Sequence, residues 1–388
     1  MGSPLKSIWA VHLATLAFFL GIMIVAPVIS PFSISLGATP LIIGFLSALT
    51  SITAFIMRPI FGLISDRGYR FETMMLGAFL GCIAALIYAS SSNIWIFAVA
   101  RIIHGLASAS FLPASISTAI DLAPPDRVGE TLGWRSTMFG VSQLAGPGIG
   151  GYISDLTNYN TTFIATLILS MISLGVLFIA RRWAGKYTSE RVERKSSFRD
   201  IRRLLKLTFI CPMIAVAFYA ISYSGVFTFL PALYKELGLG ASVYGLYASV
   251  QGGFSILTRA TSGRIADRKG PIPVASLGLI LVIVSYLLLY IDYLPPAAYI
   301  AASIFGIGLG LIVPSLQLLA LGDLPSEIRG FASGIYTMAF DLGFLLGPLI
   351  MGYYIELTGS YTSILTLFPI FATFSFIAIQ FARLAKHD

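Results

Sequence analysis

Arg101, His104 and Asp341 are ionisable residues set inside long apolar runs. Arg101 and His104 are three apart, which on a helix puts them on one face, one turn from each other. Imidazole titrates nearest physiological pH, and a carboxyl can hold or release a proton. Beside a fixed guanidinium, such groups suit proton transfer or the binding of a charged solute. Asp341 is the only acid so deep in an apolar run. Pairing it with Arg101 or His104 would offset the cost of burying charge. Blander roles compete: Arg101 snorkelling to an interface, His104 as a hydrogen-bonded packing residue, Asp341 bracing two helices. His12, near the start of its apolar run, reads as interfacial.

A second constellation is Gly62-Leu63-Ile64-Ser65-Asp66-Arg67-Gly68-Tyr69-Arg70, a charged turn between two apolar segments. It occurs twice. Gly263, Asp267 and Arg268 repeat Gly62, Asp66 and Arg67 at an offset of 201 residues. The same offset relates Gly44 to Gly245, Arg58 to Arg259, Gly105 to Gly306 and Pro147 to Pro348, with no gap from residue 36 to 157. One unit of half the chain has been copied, which marks a repeat architecture. Gly140 pairs with Asp341 at this offset, so the repeats differ there.

The elements that position these residues follow from composition. The chain has 388 residues, 57% hydrophobic and 11% charged, against about 25% charged in a soluble domain. Apolar stretches of membrane-spanning length recur throughout. They are too long for barrel strands and cannot face lipid as irregular backbone, so they are helices. Twelve are predicted, at 8–30, 40–65, 72–91, 94–120, 130–153, 161–183, 207–233, 241–265, 272–291, 296–320, 328–353 and 361–384. The first has no small-residue cleavage site after it and reads as a retained helix. Of 25 basic residues, all but Lys235 and Arg101 fall on one side of this arrangement. The positive-inside rule makes that side cytoplasmic, with both termini there. The predicted organisation is a six-helix bundle over 1–183, a basic linker over 184–206 and a second bundle over 207–388. Residues 181–206 hold ten basic and three acidic residues. A nucleic-acid tract is one reading of that run; a linker held at the anionic leaflet, with Phe198, Ile201, Leu204 and Leu205 on an amphipathic turn, is the one adopted.

Composition also excludes classes. Cys82 and Cys211 lie in apolar segments and read as core residues. Three histidines argue against a metal site, no phosphate-cradling G-x-x-x-x-G-K-[ST] string is present, and no catalytic constellation clusters. The expectation is a non-enzymatic membrane protein of the cell membrane with no cofactor, no metal and no nucleic-acid partner.

Twelve segments in two halves, with G-x-x-x-D-R after the second and again after the eighth, resemble the major facilitator superfamily. Arg101-Ile102-Ile103-His104-Gly105 is similar to the R-x-x-Q-G pattern of its fourth helix, with His for Gln. Gly140 and then Gly146-Pro147-Gly148-Ile149-Gly150-Gly151 resemble the G-P-x-x-G-G antiporter motif of its drug/proton exporters. The first segment lacks the acid that many such exporters carry. The resemblance implies an all-α fold with two six-helix repeats around a central cavity, working by alternating access as a monomer. It implies a small-molecule substrate and protons, or another cation, as coupling ion. Cavity candidates follow from the first, seventh and tenth helices: Phe18, Phe19, Met23, Tyr219, Tyr223, Phe227 and Gln317, with Gln143 and Gln251 from the fifth and eighth. So few polar groups suit a hydrophobic or amphipathic solute better than a sugar.

The resemblance also gives the charged turns a role. Asp66 ends a helix and so faces the negative end of its own dipole. Arg67 and Arg70 are local partners; the start of the eleventh helix near Ile328 is the distant one. Asp267 would likewise cap the start of the fifth helix near Glu130. Gly62, Asp66, Arg67 and Arg70 with Gly263, Asp267 and Arg268 then form two latches, and Gly146, Pro147, Gly150 and Gly151 a close seam. Three carriers fit: a proton-coupled exporter, an uptake carrier for a small polar or anionic solute, or a lipid flippase. A non-transporting receptor fits the duplicated turn less well.

Overall fold

The computed structural model describes residues 4–124, 127–184, 206–322, 324 and 326–384. Thirteen α-helices are formed among them: α1 (Pro4–Ile24), α2 (Ala26–Ser35), α3 (Pro40–Asp66), α4 (Arg70–Ser90), α5 (Ile94–Leu122), α6 (Val128–Leu156) and α7 (Tyr159–Ala184), then α8 (Leu207–Glu236), α9 (Ala241–Lys269), α10 (Pro271–Ile291), α11 (Ala297–Leu321), α12 (Ser326–Thr358) and α13 (Leu367–Leu384). A 3₁₀ turn, Tyr361–Thr366, leads into α13. The first predicted segment is therefore two helices. The helical hydrogen-bond ladder is interrupted at Val25, and Pro27, which lacks a backbone donor, sits in the first turn of α2 where none is needed. Of the remaining predicted segments, 361–384 corresponds to the 3₁₀ turn with α13 and each of the others to one helix. The linker expectation for 184–206, with its amphipathic turn, lies outside the described residues apart from its two ends.

Ten described spans are long and apolar enough to cross a membrane. The two shortfalls are α6 and α9, each 29 residues long. Length is not their deficit, since 29 residues rise about 43 Å. Their glycines and charges lower the hydropathy. Within each unit, the helix ends that carry Arg67 and Arg70, or Arg268 and Lys269, are called here the basic end, and the opposite ends the far end.

The chain forms two compact units. One takes in Met1–Thr39, Leu49–Val192 and Tyr234–Ser249; the other takes in Pro40–Ala48, Glu193–Leu233 and Val250–Asp388. In the first, α1 packs on α6 and α7, and α4 on α5 and α7. In the second, α10 packs on α11 and α13. The duplicated sequence builds duplicated contacts. Gly77 lets α4 approach Ala107, Ser110 and Phe111 of α5; Gly278 lets α10 approach Gly308, Leu311 and Ile312 of α11, each at the 201 offset. Ser173 donates to Ala14 O at 2.9 Å, and Ser375 donates to Ala215 O at 2.7 Å, pinning the last helix of each half to its first.

Candidate functional site

The first unit buries both sequence-predicted groups of α5. Arg101 is 7% exposed and His104 8%. Between them stands Tyr88 of α4, which the sequence reading does not single out. Its hydroxyl lies 3.0 Å from His104 Nδ1 and accepts from Arg101 Nη1 at 3.4 Å. Arginine has only donors, so the phenol oxygen accepts from it and keeps its own hydrogen for the imidazole. Phe163 stacks on the Tyr88 ring at 5.2 Å and holds it in place. A void of about 10 Å³ lies beside His104, lined by Phe18, Ile22, Thr166 and Ser170, at the lower limit for one water. Phe18 stacks on Phe111 at 3.8 Å and Phe19 meets Phe111 edge-on at 6.0 Å. These two phenylalanines are packed core in this structure. Met23 and Gln143 are half-buried. His12 is 1% exposed; Trp9 covers it edge-on at 5.7 Å and itself meets Trp134 of α6.

The second unit holds a tyrosine-lined polar cluster. Tyr219 and Tyr223 stack at 5.9 Å on successive turns of α8. Gln251 of α9 donates to the Tyr223 hydroxyl at 3.2 Å, and Tyr286 donates to Ser222 Oγ at 3.3 Å. The hydroxyls of Tyr219 and Ser315 are buried with no hydrogen-bond partner among the described residues. Phe227 is half-buried against Phe344, and Gln317 is exposed. Asp341 is buried on α12, 8% exposed.

At the far end, carboxylates close on helix starts. Asp155, near the end of α6, accepts from Ala241 N at 2.7 Å and Ser242 N at 2.9 Å, the first amides of α9. Glu356, near the end of α12, accepts from Leu41 N at 3.1 Å at the start of α3. Glu356 lies 201 residues after Asp155, and Leu41 stands in the same relation to Ser242. Each acid completes amides that a helix start leaves unpaired and meets the positive end of its dipole. Beside these caps the motif glycines let backbones touch. A Cβ at Gly150 would overlap the Ile24 carbonyl, and one at Gly151 would come within 2.6 Å of Ala241 O. Gly146 abuts Met23. Gly140 is buried on the same helix. Gly245 meets Pro147 O, and Gly44 meets Pro348 O, in the repeated arrangement. Asp155 and Glu356 were legible only as acids at the 201 offset, a match of charge without identity.

The basic end differs. Asp267, Arg67 and Arg268 are exposed, and Asp267 makes no hydrogen bond or ion pair with a described residue. The side chain of Asp66 lies outside the described residues. Arg70 is engaged by Asp121 of α5 and donates to Ser117 O at 3.3 Å. A Cβ at Gly62 or Gly263 would meet nothing within 4 Å.

Membrane-length helices in two sequence repeats, with buried charges and close helix seams, define a polytopic membrane carrier. The sequence matches the Major Facilitator Superfamily over residues 11–348 and again over 212–387, and the chain belongs to that family. It is 27% identical over 318 residues to the multidrug resistance protein MdtG of Klebsiella pneumoniae, covering 79% of this chain and 75% of that one. To the quinolone resistance protein NorA of Staphylococcus aureus it is 24% identical over 353 residues, covering 89% of each. The fold is similar to that of a bacterial homologue of the human lysosomal transporter Spinster, with a TM-score of 0.81, 16% identity and 97% of each chain covered.

Proposed function

We propose that this transporter exports hydrophobic or amphipathic small molecules in exchange for protons, by alternating access in the cell membrane, with both termini cytoplasmic. The observation that carries the reading is the α6 string Gly146 to Gly151. At Gly150 and Gly151 it brings the backbones of the α1 end and of the α9 start against α6, a seam suited to two discrete packings. Support comes from the aromatic rings of Tyr219, Tyr223, Phe305 and Phe344, which pair apolar faces with a few polar groups, and from the names of MdtG and NorA as resistance proteins. Arg101, His104 and Asp341 are assigned to proton coupling or substrate charge. Asp66 and Asp267 are assigned to latches at the basic end, and residues 1–183 and 207–388 to the two moving bundles.

Transport in everted vesicles under an imposed pH gradient tests this. Wild type concentrates a fluorescent lipophilic dye when the vesicle interior is acid, and Asp341→Asn loses that accumulation. Dye movement unaffected by the gradient would remove proton exchange. A second reading, uptake of a small anionic solute, draws on the buried Arg101 and the missing acid of the first segment. Uptake of that solute by whole cells, with no dye export, would favour it.

A further inference from the structure

Arg135 of α6 is 8% exposed, about ten ångströms from the basic end of its helix by a rise of ~1.5 Å per residue. Its Nε and Nη2 both donate to Ser115 Oγ of α5, at 3.0 and 2.8 Å. No described carboxylate pairs with it, and its Nη1 makes no hydrogen bond to a described residue. His12 of α1 lies at a similar depth, eight residues from the start of its helix. Its Nδ1 and Nε2 are both buried with no hydrogen-bond partner among the described residues. The two sites are joined by packing: Trp9 touches His12 at 5.7 Å and Trp134, next to Arg135, at 5.1 Å. The nearby acids of these helices are otherwise placed, Asp121 on Arg70 and Glu130 exposed.

A buried guanidinium with no described counter-ion, and an imidazole with no described hydrogen-bond partner, are costly. The fold does not require them. At the 201 offset, His12, Ser115 and Arg135 correspond to Met213, Leu316 and Tyr336. Met213 and Tyr336 pack on an apolar cluster with Phe209, Ala320 and Ala332, and Leu316 is fully buried. The second repeat thus fills the same place with uncharged side chains. A cost borne in one repeat only points to something that offsets it, and cationic donors with no acid among them fit an anion.

We infer that Arg135, anchored by Ser115 and backed by His12, receives the carboxylate of an amphipathic cargo molecule. The inference rests on the amphipathic-cargo reading, and its test separates the two. The full chain in nanodiscs of neutral phosphatidylcholine, free of competing anionic headgroups, is titrated with dansyl-aminoundecanoic acid and with its carboxamide. Wild type binds the acid at least about tenfold more tightly than the amide, the worth of one charge-assisted hydrogen bond. Arg135→Gln brings the two affinities within about threefold while keeping that of the amide. If Arg135→Gln does not yield folded protein, Ser115→Ala decides, because it frees the guanidinium from its anchor with little change of volume. An acid preference lowered several-fold supports the site, and an unchanged one overturns it. Equal binding of both probes by wild type, or a preference that survives Arg135→Gln, also overturns the site and leaves amphipathic cargo standing. Wild type that binds neither probe overturns both.

Discussion

The two ends of the helices carry the same chemistry in different conditions. At the far end, Asp155 and Glu356 each sit near the C-terminus of one helix and accept amides from the N-terminus of another. Glycines beside them touch foreign backbone. At the basic end, Asp267 also terminates a helix, yet it is exposed and engages no described group. Gly129, Gly133, Gly263 and Gly334 would each accept a Cβ with nothing within 4 Å. A carboxylate at a helix C-terminus is poorly placed with respect to its own dipole. Its presence at both ends, in both repeats, makes sense if each meets a partner helix start in one state of the cycle. The far-end pair shows the engaged form of a device that we propose for the basic end.

Substitutions can break or sharpen that comparison. The largest effect is expected from Gly150→Leu. Its side chain has no space against Ile24, so transport is lost and the protein is destabilised by about 3 kcal/mol, read as a fall in thermal midpoint. A stable, active Gly150→Leu protein would refute the seam. Asp267→Asn comes next: transport falls at least about tenfold, since a latch worth ~1.4 kcal/mol is removed, while the thermal midpoint stays near wild type. Full transport by that variant would leave the basic-end acid without a latch role. Asp155→Ala removes a cap that completes two amides and costs about 1 kcal/mol. Glu356→Ala, which removes the acceptor at the start of α3, costs a similar amount in the same melting assay; no loss in either variant would contradict the geometry. Smallest in stability is Gly133→Ala, which gains up to about 1 kcal/mol from helix propensity because nothing opposes its methyl group. It nonetheless slows turnover if α6 must be approached closely there. Unslowed turnover would confine the close seams to the far end.

Much of this was legible in the chain. The 201-residue offset fixes the repeat, and it predicts that Gly77 and Gly278, or Gly44 and Gly245, make matching contacts, as they do. Glycine at a helix seam is conspicuous because few other residues fit. The break at Val25 was less visible, since an apolar run gives no sign of where its hydrogen-bond ladder is interrupted beyond Pro27. The far-end caps were missed because Asp155 and Glu356 share charge and not identity, and because surface acids are common. The burial of His12 was out of reach for another reason. Hydropathy locates a residue along a helix axis, whereas the burial of His12 depends on Trp9 of its own helix, which in turn meets Trp134 of α6. Tyr88 belongs to the same class: its role between Arg101 and His104 arises where α4 meets α5.

The central claim is that the carboxylates of the two ends favour opposite states. Double electron–electron resonance tests it directly, with one spin-label pair at Leu156 and Leu237 at the far end and another at Arg127 and Arg268 at the basic end. Asp155→Asn should lengthen the far-end distance and shorten the basic-end one, and Asp267→Asn should do the reverse. Shifts of the same sign in both variants, or none in either, would contradict the account.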